Sequence, residues 1–189
     1  MTHVRPAALA DDAALLGLDL ATWSPRWSPG EPPARDTFFG ERNGGPGGFL
    51  VAERDGAVVG YVALHRAGGL ATHAHVRTID GLAVDPSAQG RGIGELLVRA
   101  AVDRARAEGA AKVTLRVLGT NPAAQRLYER CGFVVEGVLV GEFVIDGAPV
   151  DDTGMALHLH GPALPRRPLR SSGRRRRARR ARCGRSTRR

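Results

Sequence analysis

Cysteine is scarce in this chain of 189 residues: there are two, Cys131 and Cys183, far apart. Two isolated thiols exclude a disulfide framework and a cysteine-based zinc site, and they point to a reducing, cytoplasmic setting. Long apolar runs are missing as well. None approaches the ~20 residues that a membrane-spanning helix needs. The opening MTHVRPAALADD lacks the basic start and apolar run of a signal peptide. A soluble protein with no membrane partner is expected. Lysine is reduced to Lys112, so a Walker A loop with its Gly-Lys-Ser/Thr is excluded. Acidic residues are absent beyond Gly161. Up to that point 14 Arg and 1 Lys face 19 acids, a net −4, whereas residues 162–189 hold 13 Arg and no acid. The overall charge of +9 therefore belongs to the tail, not to the body.

This charge break divides the chain into a domain, residues 1–161, and an Arg-rich tail, residues 162–189. The tail has no apolar period and is expected to be disordered. Its Arg174–Arg177 run could hold RNA, DNA or another polyanion weakly and with strong salt dependence. It has no aromatic side chain for stacking on bases, which argues against sequence readout. A ribosome- or RNA-associated role through the tail is one reading, a solvated extension the plainer one. Histidines occur as His73-x-His75 and His158-x-His160. Neither pair has the third ligand or second shell that metal sites use, so no metal is expected.

What is present is a body rich enough in apolar residues to build a core, 42% of the chain. A strand at His3–Arg5 precedes a helix whose Leu9, Ala13, Leu16 and Leu20 recur at helical spacing. Trp23–Pro33 reads as a loop with two tryptophans. Phe49–Glu53 and Val58–His65 flank Asp55-Gly56, a hairpin signal. A strand over Val76–Val84 leads to a helix over Gly92–Glu108, then a strand over Lys112–Leu118. Asn121-Pro122 is a helix start, with Asn as cap and Pro in the first turn. Strands at Phe133–Leu139, Glu142–Ile145 and Thr153–Leu159 close the domain. This order predicts an α/β fold with a mixed, partly antiparallel sheet flanked by helices.

The stretch between strand and helix carries the chemistry. At Gln89-Gly90-Arg91-Gly92-Ile93-Gly94 a glycine-rich turn opens a helix, where backbone N–H groups lack intrahelical partners and the helix dipole is positive. Such a turn suits a phosphate, with Arg91 able to add a charge-assisted bond; a tight turn that binds nothing is the alternative. A dinucleotide-binding loop would instead follow the first strand.

Gln89-x-x-Gly92-x-Gly94, and the later block Asn121-Pro-Ala-Ala-Gln-Arg-Leu-Tyr128-Glu-Arg-Cys-Gly132-Phe133, together resemble the acetyl-coenzyme A signature of the GNAT superfamily of N-acyltransferases. Glu136-Gly137 and the segment Asp146–Leu157 resemble its bacterial N-acetyltransferase branch. The resemblance implies a splayed strand pair that receives acetyl-coenzyme A as acyl donor, without a metal. It implies backbone contacts from Leu82 and Val84 to the pantetheine arm, a pyrophosphate at Gln89, Gly90, Arg91, Gly92, Ile93 and Gly94, and a contact from Asn121. It places Tyr128 as the acid that protonates the leaving thiolate; a tyrosine packed on the sheet is the other reading. Asp80 is the first candidate for the base, against a solvent-facing Asp, with Glu142 and Asp151 as further candidates. The implied partner is a small-molecule or peptide amine, and a homodimer stays open. Pro149 departs from the aromatic residue that similar sequences carry there, which leaves open whether the branch's acceptor preference carries over. An acyl-coenzyme A binding module without turnover is the alternative function.

Overall fold

A computed structural model describes residues 1–159 apart from Glu31, Pro33 and Arg42. The tail, its proposed boundary and His160 lie outside the described residues. Seven strands form one sheet: β1 (Thr2–Pro6), β2 (Phe49–Arg54), β3 (Ala57–Arg66), β4 (Val76–Val84), β5 (Lys112–Leu118), β6 (Val134–Ile145) and β7 (Ala148–His158). The order across the sheet is β1-β2-β3-β4-β5-β7-β6. Only β4 and β5 run parallel; every other neighbouring pair is antiparallel. The helices are α1 (Asp12–Thr22), α2 (Ile93–Ala107) and α3 (Pro122–Arg130).

Both Asp-Gly turns close hairpins. Asp55 and Gly56 have φ of 52° and 81°, and Asp146 and Gly147 have 51° and 77°. Two left-handed residues in succession give the turn whose twist matches that of the flanking strands. Phe133–Leu139 and Glu142–Ile145, expected as separate strands, are joined in the single β6. Its register with β7 slips between Leu139 and Phe143, so the Gly141 interruption bends the strand without ending it. β6 is also the sheet edge, and it leaves Val138, Leu139, Val140 and Val144 exposed.

The two sheet faces bury separate clusters. On one, α2 sets Ile93, Leu97, Val98, Ala101 and Ala105 against Val62, Ile79, Val113 and Met155, with Tyr128 and Phe133 from the α3 region. On the other, Leu15 and Leu18 of α1 pack with Phe38, Phe39, Phe49 and Tyr61. The helix-forming pattern of α1 was expected on other residues. Leu9 lies in a short 3₁₀ turn and is exposed, as is Leu20. Leucines occupy most sides of this helix, so its polar anchors select the buried face. Asp12 accepts the Phe39 N–H at 2.8 Å, and Asp19 accepts the Tyr61 hydroxyl at 2.7 Å. Among the described residues no helix is long and apolar enough to cross a membrane.

Candidate active site

Strands β4 and β5 pair only from Val76–Lys112 to Ile79–Leu115. Beyond that point Asp80–Val84 and Arg116–Leu118 diverge, and a wedge opens between them. On its other side β4 remains paired with β3, as Tyr61 opposite Ala83 and Gly60 opposite Val84. The Asp85 N–H donates to the Val59 carbonyl. Since backbone groups alternate sides along a strand, those of Ala83 face β3, whereas those of Leu82 and Val84 face the wedge. The wedge side of β4 is thus an unpaired strand edge, to which Leu82 and Val84 present their backbone groups.

A bulge sits at the mouth of the wedge. Leu64 pairs with Ile79 and Ala63 with Gly81, leaving Asp80 as the extra residue. The extra residue resolves a conflict of period. Ile79 stays in the α2-side core while Asp80 turns to the α1 side, where it lines the cleft with Gly81. The Asp80 side chain is 55% exposed, and its partial desolvation raises the carboxyl above the usual carboxylate range, opposed by His65 and by its own backbone N–H. A raised carboxyl accepts a proton more readily than a solvated one.

The wedge runs into the start of α2. Gly90 and Gly92 take φ of 72° and 78°, a region that other residues enter at a cost of about 1–2 kcal/mol. Gly92 is the N-cap, and no side chain caps the helix. Its first N–H groups are therefore left for an anion, with the dipole of a 15-residue helix behind them. Arg91 is exposed beside them and forms no ion pair with a described residue. Ile93 is buried core. Gly94 has a different use: a Cβ there would stand 3.2 Å from Leu127 Cδ2, so this glycine lets α3 pack close to α2. The Gln89 side chain donates to the Val84 carbonyl at 3.0 Å. It ties the loop to β4 and leaves the Val84 N–H for the wedge.

Helix α3 closes the far wall. Asn121 accepts the Ala124 N–H at 3.1 Å, which is the expected cap, and it lines the cleft as well. Tyr128 is 7% exposed, and its ring lies 5.9 Å from Phe133. Its ring is core, and the residue also borders the cleft. Burial pushes its hydroxyl up to about 12, so at neutral pH it holds a proton that it can donate.

The cleft encloses about 800 Å³. Trp23 and Trp27, from the loop after α1, form its rim, and Thr120 donates to the Arg26 carbonyl to hold that loop near α3. Two base candidates fall away. The Asp151 carboxylate accepts the Gly141 N–H at 2.8 Å, bracing the β6 bulge, and Glu142 pairs with Arg116 at 3.2 Å. Neither lines the cleft; their strand neighbours Phe143 and Asp152 do. Asp152, which sequence reasoning did not single out, is 3% exposed and pairs with Arg116 at 2.5 Å. Strand alternation puts adjacent residues on opposite faces, and only the register chooses between Asp151 and Asp152.

The sequence model described as "Acetyltransferase (GNAT) family" matches residues 13–133. A mycothiol acetyltransferase of Beutenbergia cavernae is 52% identical over 52 residues, which are 28% of this chain and 18% of that protein. A spermidine N(1)-acetyltransferase of Vibrio cholerae is 42% identical over 67 residues, 35% of this chain and 39% of that protein. The match thus spans well under half of either relative. A phosphinothricin acetyltransferase of the GNAT superfamily from Sinorhizobium meliloti, solved in complex with acetyl-coenzyme A, superposes with a TM-score of 0.70. It is 19% identical, over 88% of this chain and 96% of that one, which makes it a likeness of fold.

Proposed function

Because this chain belongs to the acetyltransferase (GNAT) family, we propose that it transfers an acetyl group from acetyl-coenzyme A to a primary amine of a small molecule or peptide. One observation carries the reading: an unpaired strand edge leads from a buried, protonated tyrosine to an uncapped helix N-terminus. That is the set of partners that an amide chain ending in a pyrophosphate and a thioester requires. Leu82 and the Val84 N–H would hold the pantetheine arm, and the Gly90–Gly94 backbone with Arg91 would hold the pyrophosphate. Gln89 would act by fixing the loop, Ile93 by anchoring the helix start in the core, and Asn121 by shaping the wall.

The acceptor arrives as an ammonium group with a pKa near ~10.4 and must lose a proton before its lone pair can attack. Asp80, at the mouth of the wedge, would take that proton. A β4 backbone N–H facing the wedge would stabilise the oxyanion. Tyr128 would give its proton to the departing thiolate and recover one from the nitrogen, so one proton is released per turnover. The two relatives are named for different compounds, mycothiol and spermidine, and the acceptor here would be chosen by Trp23, Trp27, Phe143 and Asp152 at the rim. The test is thiol release from acetyl-coenzyme A across a panel of amino acids, polyamines, aminoglycosides and short peptides. At least one amine should raise release well above hydrolysis. Binding of acetyl-coenzyme A with no release for any amine would replace this reading with a binding module.

A further inference from the structure

A second cavity, of about 300 Å³, lies on the α1 side and meets the cleft at Asp19, Tyr61, Asp80 and Gly81. His65 lines only this second cavity, with its Nε2 3.5 Å from Asp80 Oδ1. The ring sits edge-on to Phe49, with centroids 5.4 Å apart. Gly48 completes its seat. A Cβ at residue 48 would fall 2.3 Å from the His65 Cε1. The Gly48 backbone is not in the left-handed region, so its conformation does not call for glycine; the imidazole does. The other charges around this cavity, Asp19 and Arg35, are paired with each other, although Arg35 Nε and Nη1 have no hydrogen-bond partner among the described residues. Asp19 accepts from the Tyr61 hydroxyl at 2.7 Å and pairs with Arg35. Burial and Asp19 push the Tyr61 hydroxyl far above its ordinary value, so it does not exchange protons near neutrality. His65 and Asp80 are the pair left to move one.

We propose that His65 is a positioning residue that orients Asp80 and carries the acceptor's proton from Asp80 Oδ1 through its imidazole to solvent in the side cavity. This rests on the N-acetyl transfer proposed above. The ammonium gives its proton to Asp80, Asp80 passes it to His65 Nε2, and the imidazolium returns it to water, so the pair is reset with one proton released. The route leads away from the wedge, so it stays open while the cleft is filled.

The experiment uses the full chain and the panel amine with the fastest thiol release. His65→Ala should lower kcat about 10²-fold, the lower end for a proton-transfer group, with the KM for acetyl-coenzyme A unchanged. Losing the imidazole removes what holds the Asp80 carboxyl down, so the acid limb of the kcat profile should move to higher pH. Added free imidazole should restore much of the rate, because the vacated seat and its cavity can admit it. Gly48→Ala, which keeps the imidazole but displaces it, should reproduce the loss without the rescue. A wild-type pH profile in His65→Ala, or a loss that imidazole does not recover, overturns the relay and leaves the transferase reading standing. No turnover by the wild type with any amine overturns both.

Discussion

Tyr128 is where packing and the proposed chemistry meet. Its ring fills the core beside Phe133, and the same burial pushes its hydroxyl from the ordinary 10 up to about 12. Tyr128→Phe removes only the hydroxyl. We expect kcat to fall by ~10²–10⁴-fold, roughly 3–5 kcal/mol of barrier, with acetyl-coenzyme A affinity nearly unchanged. Wild-type turnover where chemistry is rate-limiting would reduce Tyr128 to a core residue. Tyr128 and Asp80 could be proposed from the sequence through the resemblance, Tyr128 from its place in the second matched block and Asp80 from its place on the strand just before Leu82. Asp152 and His65 were not singled out: Asp152 stands beside Asp151 in one matched segment that does not choose between them, and His65 belongs to no motif. Asp152 faces the cleft through the β5–β7 register, and His65 meets Asp80 only because the β4 bulge turns that carboxylate toward it.

At the scale of elements, the strand-loop-helix unit from β4 to α2 was readable because its punctuation is local. Gly90 and Gly92 mark left-handed positions, and the apolar period of α2 marks its buried face. The face of α1 was not readable, because leucine on several sides leaves the choice to Asp12 and Asp19, whose partners lie far along the chain. Gly92→Leu should strain the N-cap by about 1–2 kcal/mol without a clash, since a Cβ there meets nothing within 4 Å. Acetyl-coenzyme A affinity measured by calorimetry should drop at least about tenfold, while the unfolding midpoint shifts by only about 2–8 °C. Unchanged affinity would remove this loop from the site. The β1–α1 junction makes a separate prediction. Asp11 takes two hydrogen bonds of 2.8 Å from Arg5 and one from the Ala8 N–H. The Arg5 bonds, with the Ala8 N–H in support and burial opposing, hold its carboxyl below the ordinary value of 3.8. A group depressed on folding stabilises fully above its unfolded pKa and loses that contribution as pH falls through the folded one. Asp11→Ala should therefore cost about 1–3 kcal/mol at pH 7 and much less near pH 2. An equal cost at both pH values, by urea unfolding, would contradict the assignment.

For the whole molecule, the mixed sheet followed from the order of elements, whereas the wedge was expected only through the family resemblance. Its opening depends on β5 pairing fully with β7 while β4 stays with β3, a competition between distant strands. The net charge changes sign near Gly161, and we expect a chain ended there to keep both its fold and its acetyl-coenzyme A affinity. A drop of more than about 10 °C in midpoint, over 2 kcal/mol for a domain of this size, would show that the basic tail packs on the body. The central claim is that one wedge and one loop receive acetyl-coenzyme A. Amide hydrogen exchange, followed with and without saturating acetyl-coenzyme A, tests it most directly. The account predicts slowed exchange concentrated at Leu82, Val84 and Gly90–Gly94. Binding with those amides unprotected, or protection centred elsewhere, would contradict it.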